Sequence, residues 1–212
     1  MKKKPTSGKL TVLEQILGML FILLAVTAAF FPYFNFDLQV SGLIQSIKSP
    51  VFSQIMWFVS ILGNFPWVIL ILSLVFASLI WSKMRTEAYF SIFASIGSTI
   101  LGTLLKIVIH RPRPELGLIS VLVQLKDKSF PSGHVLLFTS FFGFLLFLSL
   151  YVFKNKILGP VIGALSGFLV LTIGISRIYL GAHWASDVLG GYLLGMLFLI
   201  VTIQLYKKAT NT

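Results

Sequence analysis

Six apolar stretches, each long enough to cross a lipid bilayer, constrain the fold of this chain more than any other feature. A transmembrane helix needs about 20 mainly apolar residues, and backbone groups in lipid must form their hydrogen bonds within the segment. The sequence therefore predicts an all-α, integral membrane six-helix bundle that occupies residues 1–212 as a single domain. The predicted spans are Val12–Phe34, Gln54–Trp81, Glu87–Ile109, His134–Phe153, Ile157–Ile178 and Ala185–Tyr206.

The composition agrees with a chain that lies in lipid. Charged residues make up only 11% of the chain, whereas soluble domains carry about a quarter. The absence of cysteine excludes disulfides, thiolate metal sites and a cysteine nucleophile. The net charge of +11 is explained by lysine and arginine in cytoplasmic loops. We therefore expect membrane lipids as surroundings and no nucleic-acid partner.

The positive residues also predict the orientation of the chain in a cell membrane. The side that includes both termini carries ten lysines and arginines, and the other side carries seven. Both termini are therefore expected in the cytoplasm. The N-terminal apolar run resembles a signal peptide, but it exceeds the usual length of about 7–15 residues, so we expect a retained span. Pro66 is expected to kink the second span, and the mixed segment Asn35–Ser53 is expected along the membrane interface.

Ionisable residues gather at span ends on the predicted outer side, where such residues are costly and usually functional. His183 and Asp187 are four residues apart, so on a helix they share one face. The carboxylate could then fix the ring tautomer and leave the other ring nitrogen basic, as in a catalytic triad. A hydrogen-bonded pair that only packs two helices is the alternative for these two residues alone.

The segment Pro131–His134 precedes an apolar run and predicts the start of a helix. Helix N-termini present free backbone N–H groups to phosphate. Gly133 would let the backbone approach closely, Ser132 would add a hydroxyl donor, and His134 would lie over the bound group to move a proton. An ordinary helix cap with an incidental histidine is the alternative.

Three cations, Lys106, Arg113 and Arg177, could neutralise a phosphoryl group in its transition state. The alternative is that each side chain reaches interfacial water on its own. No cluster of acidic residues and histidines has convincing metal-ligand spacing, so we expect no metal and no other cofactor.

Together, these segments resemble the signature of the type 2 phosphatidic acid phosphatase superfamily, also called lipid phosphate phosphatases. The family pattern is K-x6-R-P, then P-S-G-H, then S-R-x5-H-x3-D, and the matching residues fall within 106–187. Arg113 fits the family spacing from Lys106. Arg111-Pro112 is a second R-P pair outside that spacing, and a contact with a lipid headgroup is the expectation for Arg111.

The resemblance implies a metal-independent lipid phosphatase that forms a phosphohistidine intermediate at the outer membrane face. His183 would be the nucleophile, Asp187 would orient it, and His134 would protonate the leaving lipid oxygen and then activate water. The phosphate would be bound by Lys106, Arg113, Ser132, Gly133 and Arg177.

The resemblance also implies a substrate class and leaves two alternatives open. The substrate would be a lipid phosphomonoester or diphosphate: undecaprenyl diphosphate first, then phosphatidylglycerophosphate, then phosphatidic acid. Vanadate-dependent haloperoxidases share this anion site, but they are soluble. A transporter or scaffold that keeps the site only for binding is the second alternative. The sequence does not predict the oligomeric state.

Overall fold

The computed structural model describes residues 11–211, and it confirms an all-α fold for that part of the chain. The lysines Lys2, Lys3, Lys4 and Lys9, which contribute to the predicted cytoplasmic charge, lie outside the described residues. The α-helices of the described range are α1 (Val12–Phe30), α2 (Asn35–Gln45), α3 (Pro50–Ile61), α4 (Trp67–Trp81), α5 (Arg85–Ile92), α6 (Ser98–Ile109), α7 (Gly133–Tyr151), α8 (Leu158–Tyr179) and α9 (Ala185–Thr210).

Five helices between residues 11 and 211 are long and apolar enough to cross a membrane. They are α1, the continuous helix Arg85–Ile109, α7, α8 and α9. In the second of these, a π-helical segment, Phe93–Gly97, joins α5 to α6 without a break. The chain is therefore a multi-pass membrane protein.

The second predicted span, Gln54–Trp81, is not one helix. It consists of α3 and α4, and each is shorter than a full span. The turn between them contains Gly63 and Asn64, and Pro66 lies directly before α4. Because proline lacks a backbone N–H and clashes with a preceding helical turn, it either kinks or breaks a helix. The expected kink is thus a complete break, and a membrane crossing by α3 and α4 together stays a prediction.

The helix α2 forms within the segment that was expected along the interface. Its first turn contains Asp37, which accepts a hydrogen bond from the backbone N–H of Phe34 at 2.9 Å. The Asp37 side chain is nevertheless fully buried, because α2 packs against α8 and α9. The start of α2 is therefore part of the bundle, whatever its depth in a membrane.

The core of the bundle is built around α7, whose aromatic residues Phe138, Phe141 and Phe144 are almost completely buried. Two glycines let α9 approach α7 closely. A Cβ at Gly191 or Gly195 would meet α7 side chains at less than 3.0 Å, so small residues set this helix–helix distance.

The helices bring one set of ends together. The end of α6, the start of α7, the end of α8 and the loop before α9 meet at one end of the bundle, where their residues line a common cavity. The opposite end contains the α4–α5 connection and the α7–α8 connection with Lys154. The cavity and the connections that were predicted to be cytoplasmic, which include Lys154, therefore lie at opposite ends of the molecule.

Candidate functional site

An open cavity of about 510 Å³ lies at the end of the bundle where α6, α7, α8 and α9 meet. Six of the eight predicted site residues line it, and they come from segments far apart in the sequence. The other two, Ser132 and Asp187, are buried beside it. The lining residues from the predicted set are Lys106, Arg113, Gly133, His134, Arg177 and His183.

The ring of His183 has the tautomer that a nucleophile requires. Its Nε2 lies 3.1 Å from Nη1 of Arg113. Because a guanidinium only donates hydrogen bonds, Nε2 must be the acceptor, and the ring proton must be on Nδ1. Nδ1 lies 3.5 Å from Oδ2 of Asp187 and 3.4 Å from Oγ of Ser129. The carboxylate therefore holds the proton side of the ring, and the basic nitrogen is on the side of Arg113.

Burial holds the pKa of His183 well below its ordinary value of 6.5, and the positive charges of Arg113 and Arg177 lower it further. The imidazole is therefore neutral near pH 7, so the Nε2 lone pair is available to attack phosphorus.

Asp187 is fixed behind the histidine by three donors. Its Oδ2 accepts the backbone N–H of Trp184 at 2.9 Å and the hydroxyl of Ser129. Its Oδ1 accepts Nη1 of Arg111 at 2.6 Å. The predicted pairing with His183 is present, but not on one helical face, because α9 begins only at Ala185. The pair instead bridges the loop and the first turn of α9.

Lys106 and Arg113 share a partner in the long loop after α6, which the sequence did not reveal. The carboxylate of Asp127 lies 2.6 Å from Lys106 Nζ and 2.6 Å from Arg113 Nη2. Burial raises the pKa of Asp127, but the hydrogen bonds and charges of Lys106 and Arg113 together lower it more, so the carboxyl is ionised. Both cations are therefore held at the cavity and do not extend separately into interfacial water.

Two buried donors beside the cavity suit phosphate oxygens. Arg177 donates through Nη1 to Oγ of Ser60 at 2.5 Å. Its Nε and the hydroxyl of Ser132 have no hydrogen-bond partner among residues 11–211, and an unpaired buried donor is costly. Gly133 begins α7, where a backbone N–H lacks an intrahelical acceptor. A Cβ at Gly133 would meet no atom of residues 11–211 within 4 Å, so the space beside its backbone is open.

His134 is positioned by the turn that interrupts the second predicted span. Its Nε2 lies 2.9 Å from Oδ1 of Asn64, and its ring packs directly against Gly63. Asn64 was not among the predicted site residues, because a single asparagine in an apolar stretch carries no motif. The break between α3 and α4 is thus the structural feature that brings a polar side chain to this histidine.

Arg111 does not reach a lipid headgroup, contrary to the expectation from the sequence. Its side chain is completely buried between the carboxylates of Asp37 and Asp187. These two negative charges draw it inward, and Arg113, two residues later, lines the cavity. His110 also lines the cavity, and its Nδ1 lies 2.8 Å from the carbonyl oxygen of Ile107.

Sequence comparison finds one matching family model and several curated relatives. The sequence model described as the PAP2 superfamily matches residues 87–211. Phosphatidylglycerophosphatase B of Bacillus subtilis (strain 168) is 26% identical over 165 residues, which are 76% of this chain and 78% of that protein. YbjG of Escherichia coli (strain K12), provisionally named an undecaprenyl-diphosphatase, is 40% identical over 72 residues, which are 34% of this chain and 31% of that protein.

Comparison with solved structures finds the same fold. A crystal structure of a transmembrane PAP2-type phosphatidylglycerolphosphate phosphatase from Bacillus subtilis matches with a TM-score of 0.78. The match covers 93% of this chain and 98% of that chain, at 24% sequence identity. The helical architecture is therefore shared over almost the whole length of both proteins.

Proposed function

The chain belongs to the PAP2 superfamily, and we propose that it is a membrane phosphatase that hydrolyses lipid phosphates through a phosphohistidine on His183. The observation that carries this proposal is the neutral His183, whose Nε2 lies 3.1 Å from Arg113 at a cavity lined by further cations. A nucleophile, an orienting carboxylate and phosphate-binding charges are the parts that phosphoryl transfer requires. The lipid phosphatases among its relatives support the same activity.

In the first step, the phosphate of the lipid binds to Lys106, Arg113 and Arg177, and the Gly133 amide and the Ser132 hydroxyl complete its binding. His183 Nε2 then forms a bond to phosphorus while the bond from phosphorus to the lipid oxygen breaks. His134 donates its proton to that oxygen, so the lipid leaves as an alcohol or, from a diphosphate, as a monophosphate.

In the second step, the neutral His134 accepts a proton from water. The water oxygen forms a bond to phosphorus while the bond to His183 Nε2 breaks, and inorganic phosphate is released. Asp187 stabilises the positive imidazole of the intermediate through Nδ1–H, as the buried aspartate does in catalytic triads. Over the two steps, His134 gives up one proton and regains one, and His183 accepts the phosphoryl group and passes it to water. Both histidines therefore return to their starting states.

The proposed reaction uses no metal ion. The described part of the chain contains no group of three or more histidine, aspartate and glutamate residues that could hold one. The charge of the phosphate is instead balanced by Lys106, Arg113 and Arg177, which line or adjoin one cavity.

A second cavity supports a substrate with a hydrocarbon chain. It has a volume of about 360 Å³, lies between α4, α6 and α7, and shares Lys106, Gly133 and His134 with the phosphate site. Its other lining residues are mostly apolar, such as Ile69 and Leu136. A lipid could therefore place its phosphate among the cations and its chain between the helices. We rank undecaprenyl diphosphate first, then phosphatidylglycerophosphate, then phosphatidic acid.

Phosphate release from the purified full-length protein tests this function. In detergent with EDTA, we expect release from short-chain phosphatidic acid, phosphatidylglycerophosphate or a polyprenyl diphosphate, and much less from glycerol 3-phosphate. A preparation of the His183→Ala variant controls for contaminating phosphatases. Release from no lipid would favour a transporter or scaffold, and loss on chelation with rescue by magnesium would contradict the metal-independent mechanism.

We also propose that the site faces outward and that both termini are cytoplasmic. Lys126 lies in the exposed loop near the site, and Lys154 lies at the opposite end of the bundle. Because the chain has no cysteine, a single cysteine at either position gives a clean probe. On intact cells, an impermeant maleimide should label the cysteine at 126 and spare the one at 154. Permeabilised cells should label both, and the reverse pattern on intact cells would invert the topology.

A further inference from the structure

Asp37 lies outside every signature segment, yet its side chain is completely buried behind the proposed active site. Its Oδ1 accepts hydrogen bonds from the backbone N–H and the hydroxyl of Ser186, both at 2.7 Å. Its Oδ2 accepts Nη2 of Arg111 at 2.9 Å. A carboxylate of α2 therefore binds the first turn of α9 through Ser186, the residue directly before Asp187.

Arg111 links this carboxylate to the one that holds the nucleophile. Its Nη1 donates to Asp187 Oδ1 at 2.6 Å and to the hydroxyl of Ser186 at 2.7 Å. The side chains of Asp37, Arg111 and Asp187 are all 0% exposed. A continuous path of buried charges thus runs from α2 to the ring of His183.

A cap for α2 does not account for this arrangement. Capping explains only the bond from the backbone N–H of Phe34 to Asp37 Oδ2. The other bonds of Asp37 run to Ser186 and Arg111, on different elements. Burying a charge is costly unless it is paired, so the position of Asp37 implies a role for its charge as well as for its shape.

We propose that Asp37 is a positioning residue for phosphoryl transfer, which acts through Arg111 on Asp187. The carboxylate of Asp37 neutralises part of the positive charge of Arg111. The negative charge of Asp187 is then less fully neutralised by Arg111, and it can stabilise the imidazole of His183 as Nε2 bonds to phosphorus. It also fixes the direction from which Arg111 meets Asp187. This inference rests on the proposed phosphatase mechanism.

The test compares Asp37→Asn with the parent enzyme in detergent. Asparagine keeps the size of the side chain but removes its charge. Because residues of one buried hydrogen-bond network are energetically coupled, we expect kcat to fall roughly tenfold, with KM and the affinity for vanadate unchanged. Glu14→Gln is the matched control, since Glu14 is also buried and caps a helix, α1, away from the site. It should leave kcat unchanged.

A double mutant separates positioning from general structural support. In an Asp187→Asn background, Asp37→Asn should change the single-turnover rate of a radiolabelled lipid phosphate by less than about twofold, since its route to His183 is already broken. The inference would be overturned if Asp37→Asn lowered the single-turnover rate equally in the parent enzyme and in the Asp187→Asn variant, or if Asp37→Asn alone were fully active. Absence of phosphate release by the parent enzyme would instead contradict the proposed function itself.

Discussion

Replacement of His183 by alanine is expected to remove nearly all lipid phosphatase turnover. Without Nε2, no bond to phosphorus can form, and the loss of a nucleophile typically costs about 10⁴-fold or more in kcat. Vanadate should still bind, more weakly, because Lys106, Arg113 and Arg177 are unchanged. Steady-state phosphate release from one short-chain lipid phosphate, together with a vanadate binding titration, measures both effects.

His110→Ala is the matched control for this substitution. His110 also lines the cavity, but its ring contacts the carbonyl oxygen of Ile107 and has, among residues 11–211, no carboxylate partner of the kind that holds His183. We expect its kcat to stay within a few-fold of the parent value. Substantial turnover by His183→Ala, or loss of turnover only in His110→Ala, would assign the nucleophile to another residue.

Replacing Arg113 by alanine is expected to lower kcat, whereas replacing Arg111 by alanine is expected to lower the stability of the fold. Arg113→Ala removes a charge-assisted donor from the phosphate, and such a loss costs about 10²–10³-fold in kcat. Its fold should persist, because Arg113 lies at the edge of the cavity. Arg111→Ala leaves the buried carboxylates of Asp37 and Asp187 without their shared cation. Breaking a buried ion pair costs about 3–5 kcal/mol of stability.

Thermal unfolding in detergent and kcat, measured on both variants, distinguish these two outcomes. Arg113→Ala should unfold near the parent temperature and turn over slowly. Arg111→Ala should unfold at a clearly lower temperature or yield little folded protein. A stable, fully active Arg111→Ala enzyme would show that the buried ion pairs contribute little. A normal kcat for Arg113→Ala would remove Arg113, and the spacing from Lys106, from the phosphate site.

The spacing of residues along the sequence was sufficient to predict most of the charged residues that line the candidate site. The seven-residue interval from Lys106 selects Arg113 and not Arg111, and in the structure Arg113 lines the cavity while Arg111 is buried. Polar residues at the ends of apolar runs meet because helix ends meet in a bundle. Their catalytic roles stay predictions until the variants are measured.

The supporting residues could not be predicted, because they act through contacts between distant segments. Asp37 lies 150 residues before Asp187 in the sequence, and only the packing of α2 against α9 brings them together. Asn64 reaches His134 because the chain breaks at Pro66. A hydrophobicity pattern reports the length of an apolar stretch, but it does not report where a proline interrupts the helix.

The covalent intermediate provides the most direct test of the central claim. A ³²P-labelled aryl phosphate, whose phenolate leaves without a proton from His134, is mixed with the purified His134→Ala variant, which lacks the base for the second step. We expect label to accumulate on the protein in a bond that is labile in acid and stable in base, as a phosphohistidine is. The same experiment with His134→Ala and His183→Ala combined should give no labelled protein. Label that persists in the combined variant, or that never forms while the parent enzyme still releases phosphate, would contradict a phosphohistidine on His183.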